Sequence, residues 1–313
     1  MKLPALLYLG SLAASIHVTT PLLNCLSSAH VPFITPTSPT WPIFASPFNT
    51  RVSYTPAAIV IPVSTSQVAA AVACGAAHKV KVTPKAGGHS YASLSLGGGD
   101  GHLVIELDRL AGVSLNRETG IATIGPGARL GDVATGIYNQ GKRAFLAGDV
   151  SRVRSVGVGG HVLHGGYGMS SRTHGLALDW VDSITVVLAN ASVVDCSAHL
   201  HPSLFFAMLG AGSSFGIATE FRFRTYEAPG VVTWFSAALP WDGETAVEGL
   251  EELELFTRYR MSPELNMRLM ASANGSSLDG VFYGDRAGLD DVLGPLLERV
   301  NGSIATAGTT DWI

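Results

Sequence analysis

The sequence predicts an α+β fold built in two parts, and three observations predict it. An apolar segment, an alanine-rich segment and a second apolar segment follow one another over residues 57–83, the pattern of a strand–helix–strand unit. Two later pairs of short alternating segments predict antiparallel hairpins. Beyond Pro229 the pattern changes to longer strands and helices. The 313 residues are enough for two domains of ordinary size.

The first unit comprises the strand Ala57–Val63, the helix Gln67–His78 with capping hydroxyls before it, and the strand Val80–Thr83. Pro84 should end the second strand, because proline has no N–H to give to a ladder. The other elements expected before Pro229 are the strands Leu103–Leu107, Val113–Leu115, Ile121–Ile124, Val181–Leu188, Val193–Cys196 and Ile217–Tyr226, and the helices Leu130–Gln140, closed by Gly141, and Pro202–Leu209. Those expected after it are the strands Val231–Leu239, Asn266–Ala271 and Gly280–Phe282, and the helices Thr245–Tyr259 and Leu289–Val300.

Composition excludes several classes of protein. The chain is 47% hydrophobic and 14% charged, so it can bury a core and is not typical of a disordered chain. Its net charge is −4 and it has no basic run, which argues against nucleic-acid binding and against attraction to anionic membranes.

The N-terminus predicts secretion. Residues 1–15 carry one lysine, an apolar run and then small residues, the pattern of a signal peptide; a buried or disordered segment is the alternative. Residues 16–53 are rich in Pro, Ser and Thr and predict an extended leader. No later segment is apolar for long enough to span a membrane. An extracellular protein is expected, with no membrane attachment after cleavage.

Three cysteines leave at least one unpaired in a monomer. A bridge between Cys25 and Cys74 is one interpretation. Two or three buried thiols among Cys25, Cys74 and Cys196 are the other, slightly favoured, interpretation. None of the three has the spacing of a metal site.

The stretch Thr83–Gly101 carries the strongest chemical signal. Gly87 and Gly88 allow a sharp turn that approaches a ligand without a Cβ in the way, and free N–H groups on such a turn bind phosphate. His89, Ser90 and Tyr91 follow at once, which places an imidazole, a hydroxyl and a phenol on the rim. A polar turn with an incidental histidine is the plainer interpretation.

A second glycine-rich stretch, Gly157–Gly168, has six glycines in twelve residues and suits a backbone laid against a flat or phosphorylated ligand. His161 and His164 within it could instead form a metal pair, but no third ligand stands at helical spacing. Both could also be packing groups, which is the favoured interpretation for His164. Gly210–Gly216 is similar to a dinucleotide fingerprint, but its spacing is wrong and it leads into a strand.

Lys85-Ala86-Gly87-Gly88-His89-Ser90-Tyr91 resembles the flavin-attachment motif of the berberine-bridge-enzyme-like FAD oxidases, particularly the fungal carbohydrate oxidases. The resemblance continues through 156–168, 173–179 and 204–223. It implies a PCMH-type (vanillyl-alcohol-oxidase-like) FAD-binding domain of two α/β subdomains over 54–229. It also implies part of an antiparallel-sheet substrate domain over 230–313, with no closing element visible before Ile313.

The resemblance implies that FAD is bonded covalently to His89 and contacts both glycine-rich stretches. Tyr91 is implied as a possible substrate contact, with packing under the ring as its alternative. The FAD-binding residues implied are Lys85, Ala86, Gly87, Gly88, His89, Ser90, Ser93, Gly148, Val156, Gly157, Gly160, His161, Gly168 and Ile217.

Two features depart from the family pattern. Many relatives attach FAD a second time through a cysteine before the second motif, but residues 148–156 contain no cysteine. Val150 or Val153 stands at the corresponding place, so attachment through His89 alone is expected. Relatives also extend beyond residue 313 and carry the catalytic base there, so no base can be named.

The function implied is oxidation of a carbohydrate hydroxyl group, from oligosaccharide to lactone, with dioxygen as acceptor and hydrogen peroxide as product. A monomeric chain that acts on a small-molecule or oligosaccharide substrate is expected. Two alternatives stay open. One is an oxidase of a secondary metabolite such as an alkaloid or terpenoid precursor. The other is a truncated product without activity.

Overall fold

The computed structural model describes residues 20–145, 155–272 and 275–312, which form helices and strands in about equal measure. The helices are α1 (residues 20–28), α2 (Trp41–Ala45), α3 (Thr65–Ala77), α4 (Leu130–Gly141), α5 (Val158–Val162), α6 (Ser171–His174), α7 (Pro202–Ala211), α8 (Thr245–Tyr259) and α9 (Arg286–Arg299). The strands are β1 (Phe33–Ile34), β2 (Ala58–Val60), β3 (Val82–Lys85), β4 (Leu103–Glu106), β5 (Val113–Leu115), β6 (Ile121–Ile124), β7 (Arg143–Ala144), β8 (Val181–Val187), β9 (Val193–Ser197), β10 (Ile217–Arg224), β11 (Tyr226–Glu227), β12 (Val232–Leu239), β13 (Leu265–Ser272), β14 (Gly275–Phe282) and β15 (Ser303–Thr310).

The first sheet has the strand order β1-β2-β4-β3, with β2 and β3 both parallel to β4. Helix α3 connects β2 to β3, as the strand–helix–strand pattern predicts, and Ser64 caps it by accepting a hydrogen bond from the Gln67 N–H. The expected end of β3 at Pro84 is wrong. The strand runs through Lys85, and Pro84 is tolerated because β3 lies at the edge of the sheet.

The second sheet is antiparallel, with the order β5-β6-β10-β8-β9, and both predicted hairpins are present in it. Helix α4 covers one face, and its buried Val133 and Ile137 join Phe221 and Phe223 of β10 in one apolar core. Gly141 is the last helical residue rather than the residue that closes the helix. Lys142 takes the left-handed closing conformation, with φ of 55°.

The two sheets contact each other at the start of β10. Val187 and Ile217 of the second sheet pack into the core of the first, against α3. The Thr65 hydroxyl donates a hydrogen bond to the Thr219 hydroxyl at 3.1 Å. These contacts fix the position of one sheet relative to the other.

The third sheet is antiparallel, with the order β13-β14-β12-β15, and α8 and α9 pack on one face around Phe235, Leu278 and Leu293. Strand β15 was not predicted, and it pairs with β12 from Val232 to Ala238. Its sequence, SIATAGTT, is composed of small residues that carry little strand signal.

The N-terminal segment also differs from expectation. Residues 20–28 form a helix rather than an extended leader, and its Leu22 and Leu26 are fully buried in the first core. The preference for free thiols at Cys25 and Cys74 is wrong, since they form a disulfide that joins α1 to α3. Cys196 is a buried free thiol. The predicted signal peptide, 1–15, lies outside the described residues.

Candidate functional site

A cavity of about 680 Å³ has walls from both the first and the second sheet. The loop that follows β3 supplies one wall, and the glycine-rich stretch around α5 supplies another. Ser213, Gly216 and Ala218 close it from the start of β10. The loop stands at the carboxyl end of β3, which is where open α/β sheets bind their ligands.

Two glycines bring the cavity walls together. A Cβ atom placed on Gly87 would lie 2.3 Å from the Gly157 nitrogen, and one placed on Gly157 would lie 2.3 Å from the Gly87 nitrogen. No side chain fits at such a distance, so both backbones require glycine here. Gly88, with φ of +73°, then turns the chain toward the cavity.

His89 stands at the rim of the cavity, held from two directions. Its Nε2 lies 3.1 Å from the Ser155 hydroxyl, and its ring packs against Phe48, with 4.4 Å between ring centroids and 33° between the ring planes. Burial and then the positive charge of Arg129 lower the pKa of His89 below its usual value. The imidazole is therefore neutral at neutral pH, the form in which it is a nucleophile.

His161 lines the same cavity but is buried more deeply. Burial lowers the pKa of His161 to about 4, so this ring is neutral across the physiological range. Within the described part of the chain its Nε2 is buried without a hydrogen-bond partner. A buried polar atom in a cavity wall is satisfied when a ligand supplies the missing partner.

His164 is hydrogen-bonded on both ring nitrogens. Nδ1 pairs with the Gly160 carbonyl at 2.9 Å, and Nε2 lies 3.2 Å from the Ser213 hydroxyl. Among residues 20–145, 155–272 and 275–312 no cluster of three or more His, Cys, Asp and Glu side chains could hold a metal ion. His161 and His164 both line the cavity.

The structure brings most of the predicted site residues together at this cavity. Those in its walls are Ala86, Gly87, Gly88, His89, Ser90, Tyr91, Val156, Gly157, Gly160 and His161. Gly148 lies outside the described residues.

Four predicted residues lie beside the cavity instead of in its walls. Lys85 forms a buried ion pair with Glu106, 2.7 Å between Nζ and Oε2. Ser93 is buried and donates a hydrogen bond to the Val52 carbonyl. The Gly168 N–H donates to the Ser171 hydroxyl, and Ile217 packs in the core while its neighbours in sequence, Gly216 and Ala218, face the cavity.

Sequence reasoning missed Phe48, Ser155 and Ser213. Phe48 belongs to the segment before β2 and reaches His89 only through the fold. The same segment also binds the loop after β3, because the Asn49 side-chain amide donates a hydrogen bond to the Tyr91 carbonyl at 2.7 Å. The Tyr91 ring itself is 77% exposed, so its phenol is free to meet a ligand at the mouth of the cavity.

The same fold and sequence motifs occur in known proteins. Residues 56–197 match the FAD binding domain family. The chain is 47% identical over 97% of its length to xylooligosaccharide oxidase of Thermothelomyces thermophilus, and 46% identical over 93% to chitooligosaccharide oxidase of Gibberella zeae. It is 34% identical over 72% of its length to berberine bridge enzyme-like 12 of Arabidopsis thaliana, of which it covers 42%. The chain spans 61% and 58% of the two fungal relatives.

Solved structures give the same result. The xylooligosaccharide oxidase of Myceliophthora thermophila C1 in complex with xylobiose aligns with a TM-score of 0.90 at 47% identity, over 94% of this chain and 62% of that one. Glucooligosaccharide oxidase of Acremonium strictum, with a 6-S-cysteinyl, 8α-N1-histidyl FAD, aligns with a TM-score of 0.89 at 43% identity, over 94% and 61%.

The fold and the cavity therefore define an FAD-binding protein of the PCMH type. Residues 56–197 form an FAD binding domain, and the chain is similar along almost its whole length to fungal oligosaccharide oxidases and, more distantly, to berberine-bridge-enzyme-like proteins.

Proposed function

We propose that the cavity holds FAD and that His89 is its single covalent attachment point. Three observations support this proposal: the close Gly87–Gly157 contact that brings the cavity walls together, the neutral His89 ring at the rim, and the Nε2 of His161 in the wall, which has no partner among the described residues. Residues 148–156 contain no cysteine, so the second linkage of the similar glucooligosaccharide oxidase has no counterpart here.

Each wall would have its own part in holding the cofactor. Backbone N–H groups of the Gly87–Gly88 turn suit phosphate oxygens. His161, held neutral by burial, would offer one hydrogen bond to a sugar or ring atom. His89 would fix the isoalloxazine ring at the mouth, beside Tyr91.

We further propose that the activity is oxidation of a hydroxyl group of an oligosaccharide to the lactone, with dioxygen as acceptor. FAD would supply the redox chemistry, by accepting hydride and passing two electrons to dioxygen to give hydrogen peroxide. The observation that carries this proposal is the match to xylo-, chito- and glucooligosaccharide oxidases along almost the whole of this chain.

The remaining proposals concern organisation. Residues 54–229 would form the FAD-binding domain, and 230–313 would contribute to the substrate domain. The protein would be secreted as a monomer, with residues 1–15 as its signal peptide. None of the described helices is long and apolar enough to cross a membrane.

The test is anaerobic reduction of the flavin-loaded chain. Xylo-, chito-, cello- and malto-oligosaccharides are mixed with the protein, and bleaching of the flavin band is followed. Bleaching by one oligosaccharide series supports the proposal and identifies the sugar. Bleaching only by alkaloid or terpenoid alcohols would replace it with the secondary-metabolite alternative. No bleaching by any substrate, with FAD firmly bound, would favour a chain without activity.

A further inference from the structure

We infer that Ser155 is a positioning residue for flavin attachment, which selects Nδ1 of His89 as the nitrogen that bonds to FAD. This inference rests on the proposed covalent linkage. The observation behind it is the pairing of His89 Nε2 with the Ser155 hydroxyl at 3.1 Å.

The neutral imidazole has one N–H and one lone pair. The Ser155 hydroxyl can accept a proton from Nε2 or donate one to it, and in either case it occupies Nε2 and leaves Nδ1 to face the flavin. With the proton on Nε2, the Ser155 oxygen accepts it, and the lone pair stands on Nδ1. Within the described residues Nδ1 has no hydrogen-bond partner that would compete for this lone pair. Phe48 packs against the ring, with 4.4 Å between ring centroids, in the orientation that turns Nε2 toward Ser155.

The fold holds Ser155 in this place independently of His89. Its neighbours in sequence are bonded to the start of α4, since the Leu130 N–H donates to the Val156 carbonyl and the Val158 N–H donates to the Ala128 carbonyl. The contact between Gly87 and Gly157 then sets the distance between the His89 loop and the Ser155 turn.

The reaction balances with dioxygen as the oxidant. A bond forms between Nδ1 and the 8α carbon of the flavin, whose methyl group loses one hydrogen as a proton. The imidazole loses its Nε2 proton, and the two electrons of the broken C–H bond pass through the flavin to dioxygen, giving hydrogen peroxide. The ring carries positive charge between bond formation and loss of the Nε2 proton. Ser155 accepts that N–H and so stabilises the positive charge. Because Ser155 is exposed, the proton can pass from it to solvent.

The experiment loads the full chain with FAD and follows covalent attachment by acid precipitation. The linkage nitrogen is then identified by NMR of the flavin peptide. Wild type should attach through Nδ1 alone. Ser155→Ala should attach about 10- to 100-fold more slowly, the size expected for one hydrogen bond to a charged group, and give a mixture of Nδ1 and Nε2 products. Ser155→Thr, which keeps the hydroxyl, should restore the rate and the single product.

Ser213→Ala is the matched control, because it removes the same kind of serine–histidine hydrogen bond in the same cavity, from His164. It should leave the linkage nitrogen unchanged. Equal rates and a pure Nδ1 product in Ser155→Ala would overturn this inference alone, and so would an Nε2 linkage in wild type. A wild-type chain that binds FAD without any covalent bond would overturn the inference and the proposed covalent linkage together.

Discussion

The two histidines of the cavity differ because of burial. His161 is deep enough that its pKa falls to about 4, so it is a fixed neutral hydrogen-bonding group. His89 is at the rim, where the pKa is lowered by burial and by Arg129 but the ring stays accessible. The deep ring suits binding and the rim ring suits attachment.

We predict that His89→Ala binds FAD only reversibly. The variant lacks the nucleophile, while the cavity walls keep their glycine contact. Acid precipitation should then leave the flavin in the supernatant, and the reduction potential of the bound flavin should fall. Flavin that remains with the precipitated variant, on a peptide containing Cys74 or Cys196, would contradict the assignment of His89.

Glu106 is the other residue whose environment sets its chemistry. Its side chain is fully buried and one carboxylate oxygen has no partner among the described residues. Burial raises the pKa of Glu106 to about 7, although Lys85 beside it opposes the shift. The unfolded chain should lose this proton near the ordinary pKa of 4.5. Between these values the folded state holds one more proton than the unfolded state, so stability falls as pH rises.

We predict that wild type loses up to about 3 kcal/mol of unfolding free energy between pH 4.5 and 7 through Glu106, at about 1.4 kcal/mol per pH unit. Glu106→Gln cannot titrate, so its stability relative to wild type should improve from pH 5 to pH 8. Urea unfolding of both proteins at the two values measures this. Glu254→Gln, which alters an exposed carboxylate of α8, should follow wild type. Parallel pH profiles for wild type and Glu106→Gln would contradict the prediction.

At the scale of elements, the core of the first sheet includes a helix from the N-terminal segment. Helix α1 buries Leu22 and Leu26 against α3, and the Cys25–Cys74 disulfide joins the two helices across 49 residues of chain. Between these positions lie α2 and Phe48, which packs on His89. The bridge therefore also restrains the segment that covers the rim of the cavity.

We predict that Cys25→Ser and Cys74→Ser each lower the unfolding free energy by about 2–5 kcal/mol, because the loop they close is released in the unfolded chain. The double variant should be no less stable than either single variant by more than about 0.5 kcal/mol, since both changes remove one bond. Thermal unfolding of the two single variants and the double variant, each compared with wild type, measures these losses. Additive losses would show that the two thiols stabilise the fold separately.

At the scale of the whole molecule, helix α6 connects the second sheet to the third. Arg172 donates hydrogen bonds to the Met261 and Ser262 carbonyls, and the Thr173 hydroxyl donates to the Pro263 carbonyl at 2.7 Å. Nearby, burial raises the pKa of Tyr226 to about 12, and burial and the neighbouring Tyr226 also raise the pKa of Tyr283. Both phenols are therefore neutral at any physiological pH.

We predict that Arg172→Ala combined with Thr173→Ala frees the loop before β13 from α6. Hydrogen exchange of the amides over 260–265 should become faster, while exchange in α3 and β4 stays unchanged. Arg286→Ala, which breaks an exposed pair within α9, is the control and should leave 260–265 as in wild type. Unchanged exchange in the double variant would show that these three hydrogen bonds do not restrain the loop.

The sequence by itself determined the chemistry and the order of most elements. Gly87, Gly88 and His89 stand next to one another in the chain, and helix and strand periods are local properties, so both can be recognised without a fold. Predictions from local sequence failed where the neighbouring strands determined whether a segment became a strand. Pro84 continues a strand because the strand is at an edge, and β15 forms from small residues because β12 offers it a partner strand.

Only the tertiary structure decided which residues share the site. Phe48, Ser155 and Ser213 are separated in sequence by tens of residues from the groups they contact, and nothing in their own neighbourhood indicates those partners. The disulfide could not be predicted from the local sequence either, because it requires Cys25 and Cys74 to lie close together in the fold. The pKa values of His161 and Glu106 follow from burial, a quantity that exists only after the chain has packed.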